Sequence, residues 1–335
     1  MQASPARWWL GISLLAYHAI APSPAESDDA IPLYSFNQSP LVQIFGLPAI
    51  GDARVLSPED GNLSLHLQLA NNFTDASNRN EHLVLDGETH RFTLVMRQGL
   101  ANGREWGIEL PYVTQSGGFL DGPIEHWHSA FGLPDGGRPG TTRNLINYRY
   151  TRDGADLVRV TQSTSGVGDV RLTGASQLVD APDGQNIALR GSLKFATGDN
   201  AGLQGSGSTD LALWLSMAPK SPPAHTLNGY GGAGILFMNK GNVLPAQHRS
   251  YVTFGSIGLG MQLFSTLTVN AQLDGHSPFY EGSDFRQLSA YAIQGLLGLS
   301  WEFSPKKHLG ASVSEDLVIN TSPDVVFTLS LTLPF

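Results

Sequence analysis

The 335-residue chain carries 20 Lys and Arg against 29 Asp and Glu, and this net charge of −9 without a basic run argues against a nucleic-acid partner. Cysteine is absent, which excludes disulfides, thiolate metal ligands and a thiol nucleophile. The hydrophobic fraction of 41% excludes a bundle of membrane-spanning helices, but it fits a barrel that is apolar outside and polar inside.

The N-terminus has the layout of a secretory signal peptide. Arg7 precedes an apolar run at 8–17, and Ser23-Pro24-Ala25 supplies small residues suited to cleavage. This run is shorter than the stretch of about 18 apolar residues that a membrane-spanning helix needs, so a retained membrane anchor is the weaker interpretation. We predict a signal peptide at 1–25, removed after Ala25, with a buried N-terminal helix as the alternative.

The residues after the signal peptide are predicted to form one domain. They contain no linker of only Ser, Pro and Gly, no block of like charges and no repeat of solenoid length. We divide them into a non-spanning segment at 26–61 and a barrel at 62–335. Closure of a barrel would stabilise an exported chain that lacks disulfides.

The non-spanning segment is the first stretch without alternation. Between 31 and 55 it holds three prolines, Pro32, Pro40 and Pro48. Because proline cannot donate a hydrogen bond to a neighbouring strand, this stretch is not a spanning strand. It would either fill the barrel mouth as a partial plug or remain a periplasmic tail, and the sequence leaves both open.

Alternation of apolar and polar residues dominates the chain after this segment. Apolar residues occupy every second position in stretches at 63–69, 92–96, 187–195, 211–217, 267–273, 291–303 and 325–335. Turn residues cluster at 152–155, 180–185 and 304–307. We predict an all-β fold, a transmembrane antiparallel β-barrel of about 12 strands, with about 10 to 14 allowed and an even number expected.

Alternation also directs charged side chains into the predicted lumen, because charges are disfavoured in lipid. These lumen candidates are Arg91, Arg97, Glu105, Glu109, Arg159, Arg190, Lys194 and Glu302. In a wide barrel they would form a mixed-charge wall that selects polar or charged solutes. In a barrel of about ten strands or fewer they would pair across the lumen and fill it.

The connection at 117–138 is the second stretch without alternation, and it predicts a short loop helix at about 121–131. Asp121 suits the cap, Pro123 the first turn and Gly132 the end. If this helix folded inward, it would narrow or seal the lumen.

Four side chains in this loop are candidate metal ligands: Asp121, Glu125, His126 and His128. Their oxygen and imidazole donors suit a borderline divalent ion such as zinc or copper. His126 and His128 are only two residues apart, however, so they point to different sides of a helix, and no His-Glu-x-x-His pattern occurs. A capped loop helix with polar residues facing water is the alternative, and no cofactor is expected.

One His-x-Ser triplet, His248-Arg249-Ser250, begins a predicted strand that runs through Tyr251 to Met261, and it supplies a candidate catalytic pair. On one strand face, His248 would activate Ser250 as the nucleophile of a lipid hydrolase. No Asp, Glu or Asn is marked as orienting the His, and no Gly-x-Ser-x-Gly elbow occurs. A polar strand end is the alternative.

The last predicted strand alternates to the final residue, Phe335. A terminal Phe after such a strand resembles the signal by which outer-membrane barrels are recognised by their assembly machinery. We therefore expect that machinery and outer-membrane lipids as partners, in a Gram-negative bacterium that exports the chain through its periplasm.

Four motifs carry a resemblance to a known family. They are Asn-Gln-Ser-Pro-Leu at 37–41, Phe-Gly-Leu-Pro at 45–48, Gly-Arg-Glu-Trp-Gly-Ile-Glu-Leu-Pro-Tyr at 103–112 and Gly-Phe-Leu-Asp-Gly-Pro-Ile-Glu-His-Trp-His at 118–128. Together they resemble a family of uncharacterised proteobacterial outer-membrane proteins that is known only as a domain of unknown function. The resemblance implies a barrel and its location, and it brings no reaction or cargo.

These features predict a channel or transporter for a small polar solute. A closed structural or interaction barrel without conduction is the first alternative, and a lipid hydrolase is the second. A pore requires a continuous polar path, whereas an enzyme requires a third polar partner beside His248 and Ser250.

Overall fold

The computed structural model describes residues 32–123, 142–181, 184–219, 226–318 and 321–335. The signal peptide predicted at 1–25 lies outside these residues, as do positions 124–131 of the predicted loop helix, whose residues 121–123 are helical. A separate one-turn helix, α1, spans Arg286–Ser289. None of the described residues belongs to a helix long and apolar enough to cross a membrane.

The described residues contain fifteen β-strands. In chain order they are β1 (Gly61–Ser77), β2 (Glu81–Leu100), β3 (Arg104–Ser116), β4 (Asn147–Arg152), β5 (Ala155–Val160), β6 (Thr164–Val167), β7 (Arg171–Asp180), β8 (Gln185–Lys194), β9 (Asp210–Pro219), β10 (Leu227–Met238), β11 (Tyr251–Phe264), β12 (Leu267–His276), β13 (Ala292–Ser304), β14 (Lys307–Asp316) and β15 (Val325–Pro334).

Twelve of these strands form a closed antiparallel ring. Its order is β1, β2, β3 and then β7 to β15, and β15 pairs with β1. The closing pair runs from Asn62 opposite Pro334 to Asn71 opposite Val325. The predicted antiparallel barrel with an even number of strands is therefore confirmed.

Three of the described strands are short and lie outside the ring. β4 pairs with the first residues of β2 and carries β5 as its hairpin partner. β6 pairs with the last residues of β3, beyond the part of β3 that pairs with β7. These strands extend the wall at one end of the barrel.

The two faces of the ring differ in polarity, as the alternation predicted. Outward apolar side chains such as Ile257 and Leu297 are 66% and 63% exposed, while the inward Ser64, His66 and Gln68 are buried. Outward aromatic rings are Trp106, Trp301 and Phe303 near one end, and Tyr112, Tyr251 and Tyr291 near the other. An apolar outer band between aromatic girdles is typical of transmembrane barrels.

The two ends of the barrel also differ. At the end that we call the turn end, strands are joined by tight turns at 101–103, 265–266 and 305–306, where Asn102 and Lys306 adopt φ of 63° and 59°. The amide of Phe335 donates to the Gly61 carbonyl there at 3.0 Å. At the opposite loop end, connections such as 195–209, 239–250 and 277–291 are longer. Short turns face the periplasm in transmembrane barrels.

Leu297, in the middle of β13, tests which face meets lipid. A cation at the bilayer midplane destabilises such barrels by roughly 2–4 kcal/mol, so we expect Leu297→Arg to lower the free energy of unfolding by about that amount. Ser300→Arg, on the lumen face of the same strand, is the control and should lower the free energy of unfolding much less. Urea titration of protein folded into lipid vesicles measures both. Equal losses would contradict the orientation of β13.

Candidate functional site

The interior of the barrel holds residues 32–60, which we call the plug hairpin. Its ascending arm (32–38) leaves the turn end, its apex (39–45) lies towards the loop end, and its descending arm (46–56) returns to join β1 through 57–60. At the apex the amides of Val42 and Gln43 both donate to the Ser39 carbonyl at 2.9 Å. Its apolar side chains are at most 4% exposed at Phe36, Leu41, Ile44, Phe45, Leu47 and Ile50.

The ascending arm runs alongside β12. The amide of Leu33 donates to Gln272 Oε1 at 3.0 Å, and Asn37 Nδ2 lies 2.9 Å from His276 Nε2. The two arm residues are four positions apart in the sequence, and so are their two partners on β12. Arm and strand therefore run side by side, both in extended conformation. Asn37 Nδ2 also donates to the Thr321 carbonyl at 2.9 Å, which ties the arm to the connection before β15.

The apex is held by the connections at the loop end. The Tyr280 hydroxyl donates to the Leu41 carbonyl at 2.7 Å, and burial raises the pKa of this phenol, so it stays protonated. Gln43 Nε2 donates to the Leu203 carbonyl at 2.7 Å, and Arg91 Nη1 donates to Gln43 Oε1 at 2.8 Å. Loop residues and the wall therefore close over the apex from two sides.

The descending arm is held mainly through its carbonyls. Arg171 donates from Nη1 to the Leu47 carbonyl and from Nη2 to the carbonyl of Phe45, the last residue of the apex, both at 3.2 Å. Trp214 Nε1 donates to the Ile50 carbonyl at 2.7 Å. Since backbone carbonyls are the acceptors, these contacts depend on the path of the arm more than on its side chains.

A charged cluster holds the lower part of the descending arm. Arg190 Nε donates to the Asp52 carbonyl at 2.7 Å, and its Nη1 donates to Glu105 Oε1 at 3.1 Å. Glu105 also accepts from the Leu56 amide at 3.1 Å, and Arg97 lies 3.7 Å from Glu105 and 3.5 Å from the Asp52 carboxylate. The two cations and two carboxylates balance one another.

A second charged cluster surrounds Lys194, the last residue of β8, at the loop end of the barrel. Lys194 Nζ pairs with the Asp169 carboxylate and lies 3.2 Å from Asp210 Oδ2. It also donates to Ser206 Oγ at 2.7 Å. Asp210 Oδ2 accepts from the Gly46 amide at 2.8 Å, so this cluster too reaches the plug hairpin. All three charged side chains are at most 4% exposed.

The lumen side chains predicted from alternation fall into three groups. Those that take part in the contacts above are Arg91, Arg97, Glu105, Arg190 and Lys194. Glu109 lies 3.4 Å from Arg171, whereas Glu302 sits at the turn end and accepts from the Lys306 amide at 2.9 Å. Arg159 departs from the prediction because β5 lies outside the ring; it is exposed and lies 3.6 Å from Asp156.

Three charged side chains of the barrel that hold the site were not predicted: Arg171, Asp169 and Asp210. Arg171 and Asp210 are the first residues of β7 and β9, and both face inward with the period of their strands, so alternation carried a signal for them. Asp169 lies in a connection, where no period exists to find it.

Of the candidate metal ligands, Asp121 lies within the described residues and Glu125, His126 and His128 lie outside them. Asp121 is buried; its Oδ1 accepts from Asn71 Nδ2 at 3.0 Å and its Oδ2 from the Asn144 amide at 2.8 Å. It therefore ties both ends of the loop to β1. Across the described ranges, no three His, Asp or Glu side chains gather as a metal site.

His248 and Ser250 lie before β11, which begins at Tyr251 rather than at the triplet. The centroid of the His248 ring lies 5.1 Å from that of the Phe45 ring. Burial lowers the pKa of His248 below the ordinary value for histidine. Ser250 is exposed. Within the described part of the chain, His248 Nε2 has no hydrogen-bond partner, so this nitrogen is not hydrogen-bonded to Ser250 or to an acid.

A sizeable space lies beside the plug hairpin. This cavity of about 290 Å³, which we call the vestibule, lies at the turn end. It is bounded by hairpin residues 32–34 and 52–57 and by the wall of β1, β13, β14 and β15. Among the described residues it is far larger than a second cavity of about 10 Å³ under the loops, beside Tyr280 and α1.

Comparison with known families gives one match. The family described as "Protein of unknown function (DUF3187)" matches residues 9–335. Among curated proteins, no sequence matches this chain.

Solved structures similar to this chain are outer-membrane barrels. An outer-membrane channel from Pseudomonas putida F1 is 11% identical with a TM-score of 0.56, over 85% of this chain and 98% of that one. The NanC porin is 8% identical with a TM-score of 0.44, over 81% of this chain and 97% of that one. The Ralstonia pickettii toluene transporter TbuX is 12% identical with a TM-score of 0.41, over 90% and 99%. The likeness to the first of these shows the fold of an outer-membrane β-barrel.

Proposed function

We propose that this chain, which belongs to the DUF3187 family as its motifs predicted, is an outer-membrane channel for small polar solutes that is closed by its own plug hairpin. The observation that carries the proposal is the occupant of the lumen. A separate stretch of chain, residues 32–60, fills a ring whose own inward side chains leave room for it. A ring of this size has space for a ligand or a pore once that stretch is displaced.

The inner wall favours polar solutes. Without the hairpin, the wall behind the descending arm would present Arg171, Arg190, Glu105 and Lys194 to water. Such a mixed-charge surface exchanges hydrogen bonds with a passing solute and offers little to an apolar one.

The attachment of the hairpin is compatible with release. Its descending arm is bound by hydrogen bonds from wall side chains to backbone carbonyls, and water can satisfy both partners after separation. No covalent bridge fixes it, because the chain lacks cysteine.

A closed barrel without conduction is the alternative, and one observation favours it. Phe36, Ile44 and Phe45 of the hairpin share one buried apolar cluster with Tyr148 and Trp214 of the wall. Removing this surface from water stabilises the closed state by about 25 cal/mol for each Å² buried. The two functions differ in whether removal of the hairpin opens a path.

Location and partners are part of the same proposal. The outward apolar band would contact outer-membrane lipids, with the turn end facing the periplasm of a Gram-negative bacterium after export. The C-terminal strand and the exposed Phe335 that follows it would contact the assembly machinery.

Swelling of lipid vesicles in arabinose tests the proposal. We expect vesicles containing the intact protein to swell slowly, and those containing a variant that lacks residues 33–56 to swell several-fold faster, because the deletion empties the lumen. Retention of the heat-modifiable folded band on gels verifies that the variant still forms a barrel. A folded variant that swells no faster than protein-free vesicles would favour the closed barrel instead.

A further inference from the structure

One wall of the vestibule belongs to a grid of uncharged residues, and all members of the grid except Ser64 and Gln68 line the cavity. Across β1, β15 and β14 the inward residues form three rows in register. The rows are Ser64, Thr332 and His308; His66, Ser330 and Gly310; and Gln68, Thr328 and Ser312. Hydroxyl, imidazole and amide groups both donate and accept hydrogen bonds, and none of these residues carries a carboxylate or a permanent cation.

Two contacts within the grid leave further donor and acceptor positions on the same hydroxyl and imidazole groups. Ser64 Oγ lies 2.8 Å from Thr332 Oγ1, and His66 Nδ1 lies 2.8 Å from Ser330 Oγ. The next position in the second row is Gly310, which leaves the wall recessed beside Ser330. A Cβ added at Gly310 would lie 3.5 Å from Ser330 Cβ and 3.7 Å from the Leu299 carbonyl oxygen, so a side chain can be placed there without a clash at Cβ.

Two of the three Lys and Arg residues that line the vestibule are paired with acids. Lys306 Nζ lies 2.7 Å from Asp60 Oδ1, and Arg97 lies 3.5 Å from Asp52. The remaining lining cation, Arg54, is exposed. An anion or cation entering here would compete with existing pairs or leave its own charge poorly solvated, whereas a neutral solute would not.

An aromatic pair closes the inner end of the vestibule. The rings of Tyr34 and His66 stack with centroids 3.6 Å apart and planes 6° apart. Tyr34 belongs to the ascending arm of the plug hairpin. The hairpin therefore forms part of the boundary between the vestibule and the rest of the lumen towards the loop end. A solute held at this boundary would lie directly below the segment that must move to let it pass.

We infer that the vestibule binds a small neutral polyhydroxylated solute, of monosaccharide size, as the entry or exit site of the channel. The inference rests on the proposed channel function for its role in passage, although binding itself does not require conduction. The cavity volume of about 290 Å³ is near the lower end of the range of roughly 300–1,000 Å³ for small-molecule sites.

Equilibrium binding to the full-length protein, folded in detergent and followed by saturation-transfer NMR, tests this inference. The neutral probes are glucose, arabinose and inositol, and glucuronate and glucosamine are charged probes of similar size. We expect at least one neutral probe to bind, and both charged probes to bind at least about tenfold more weakly, because each brings a charge that the grid cannot pair.

Two glycine substitutions locate the site. Gly310→Leu fills the recess of the grid and is expected to abolish binding. Gly229→Leu adds the same side chain to the outward face of β10, where the nearest atom lies at 3.8 Å, and should leave binding unchanged. Absence of binding by every neutral probe, equal or tighter binding of a charged probe, or binding that survives Gly310→Leu would overturn the inference. Neutral-probe binding that is lost in Gly310→Leu supports the site even if plug-deleted vesicles fail to swell, a result that would reject the channel alone.

Discussion

Replacing Lys194 by Met is expected to lower the free energy of unfolding of the barrel by about 3–5 kcal/mol, because it leaves two buried carboxylates without their cation. Lys194 is 1% exposed, and its partners Asp169 and Asp210 are 4% and 1% exposed. Burying an uncompensated charge costs far more than losing a surface ion pair, which contributes at most about 1 kcal/mol. Urea titration followed by tryptophan fluorescence measures the change.

Two further variants show whether charge is the cause. Lys240→Met removes an exposed lysine from the connection after β10 and should change the unfolding free energy little. Lys194→Met combined with Asp169→Asn and Asp210→Asn removes both uncompensated carboxylates and should recover part of the loss. A loss below about 1 kcal/mol for Lys194→Met alone would show that this cluster does not hold the barrel together.

Replacing Arg171 and Arg190 together by Met is expected to release the descending arm of the plug hairpin. Both guanidinium groups are at most 6% exposed, and together they donate to the carbonyls of Phe45, Leu47, Asp52 and Arg54. Hydrogen bonds to charged groups contribute about 1.5–3 kcal/mol each, and each 1.4 kcal/mol changes a population about tenfold. We therefore expect the released population to rise by at least about a hundredfold.

Maleimide labelling reports this release directly, because the chain has no cysteine of its own. Ser39→Cys places a single thiol in the apex, where Ser39 is 8% exposed. The rate of labelling should rise in the Arg171→Met, Arg190→Met background. The matched control, Arg149→Met with Arg159→Met, removes the same charge from the exposed β4–β5 hairpin and should leave the rate unchanged. Equal rates in the two backgrounds would mean that these cations do not retain the hairpin.

The ring was predictable from sequence because lipid and lumen impose opposite demands on alternate residues. The stripe at 325–335 shows this: Leu329 is 54% exposed on the outside, while Thr328 is buried inside. The same signal failed at Arg159, since a hairpin outside the ring alternates as a ring strand does. Period alone does not reveal which strands close the barrel.

The plug hairpin was less predictable for a physical reason. Its prolines excluded a spanning strand, but its wall contacts are largely made by backbone carbonyls such as those of Leu47 and Ile50. Every residue type carries a carbonyl, so these contacts leave no pattern in the sequence. Alternation can mark the partners on the wall, Arg171 and Trp214, as inward residues, but it does not show which carbonyls they reach.

Single-channel recording in planar bilayers, comparing the intact protein with the variant lacking residues 33–56, tests most directly whether the plug hairpin closes a channel. We expect rare, brief openings for the intact protein and long-lived conductance steps for the folded variant. Silence from a folded variant would contradict the proposed channel, because the ring would then be closed without its hairpin.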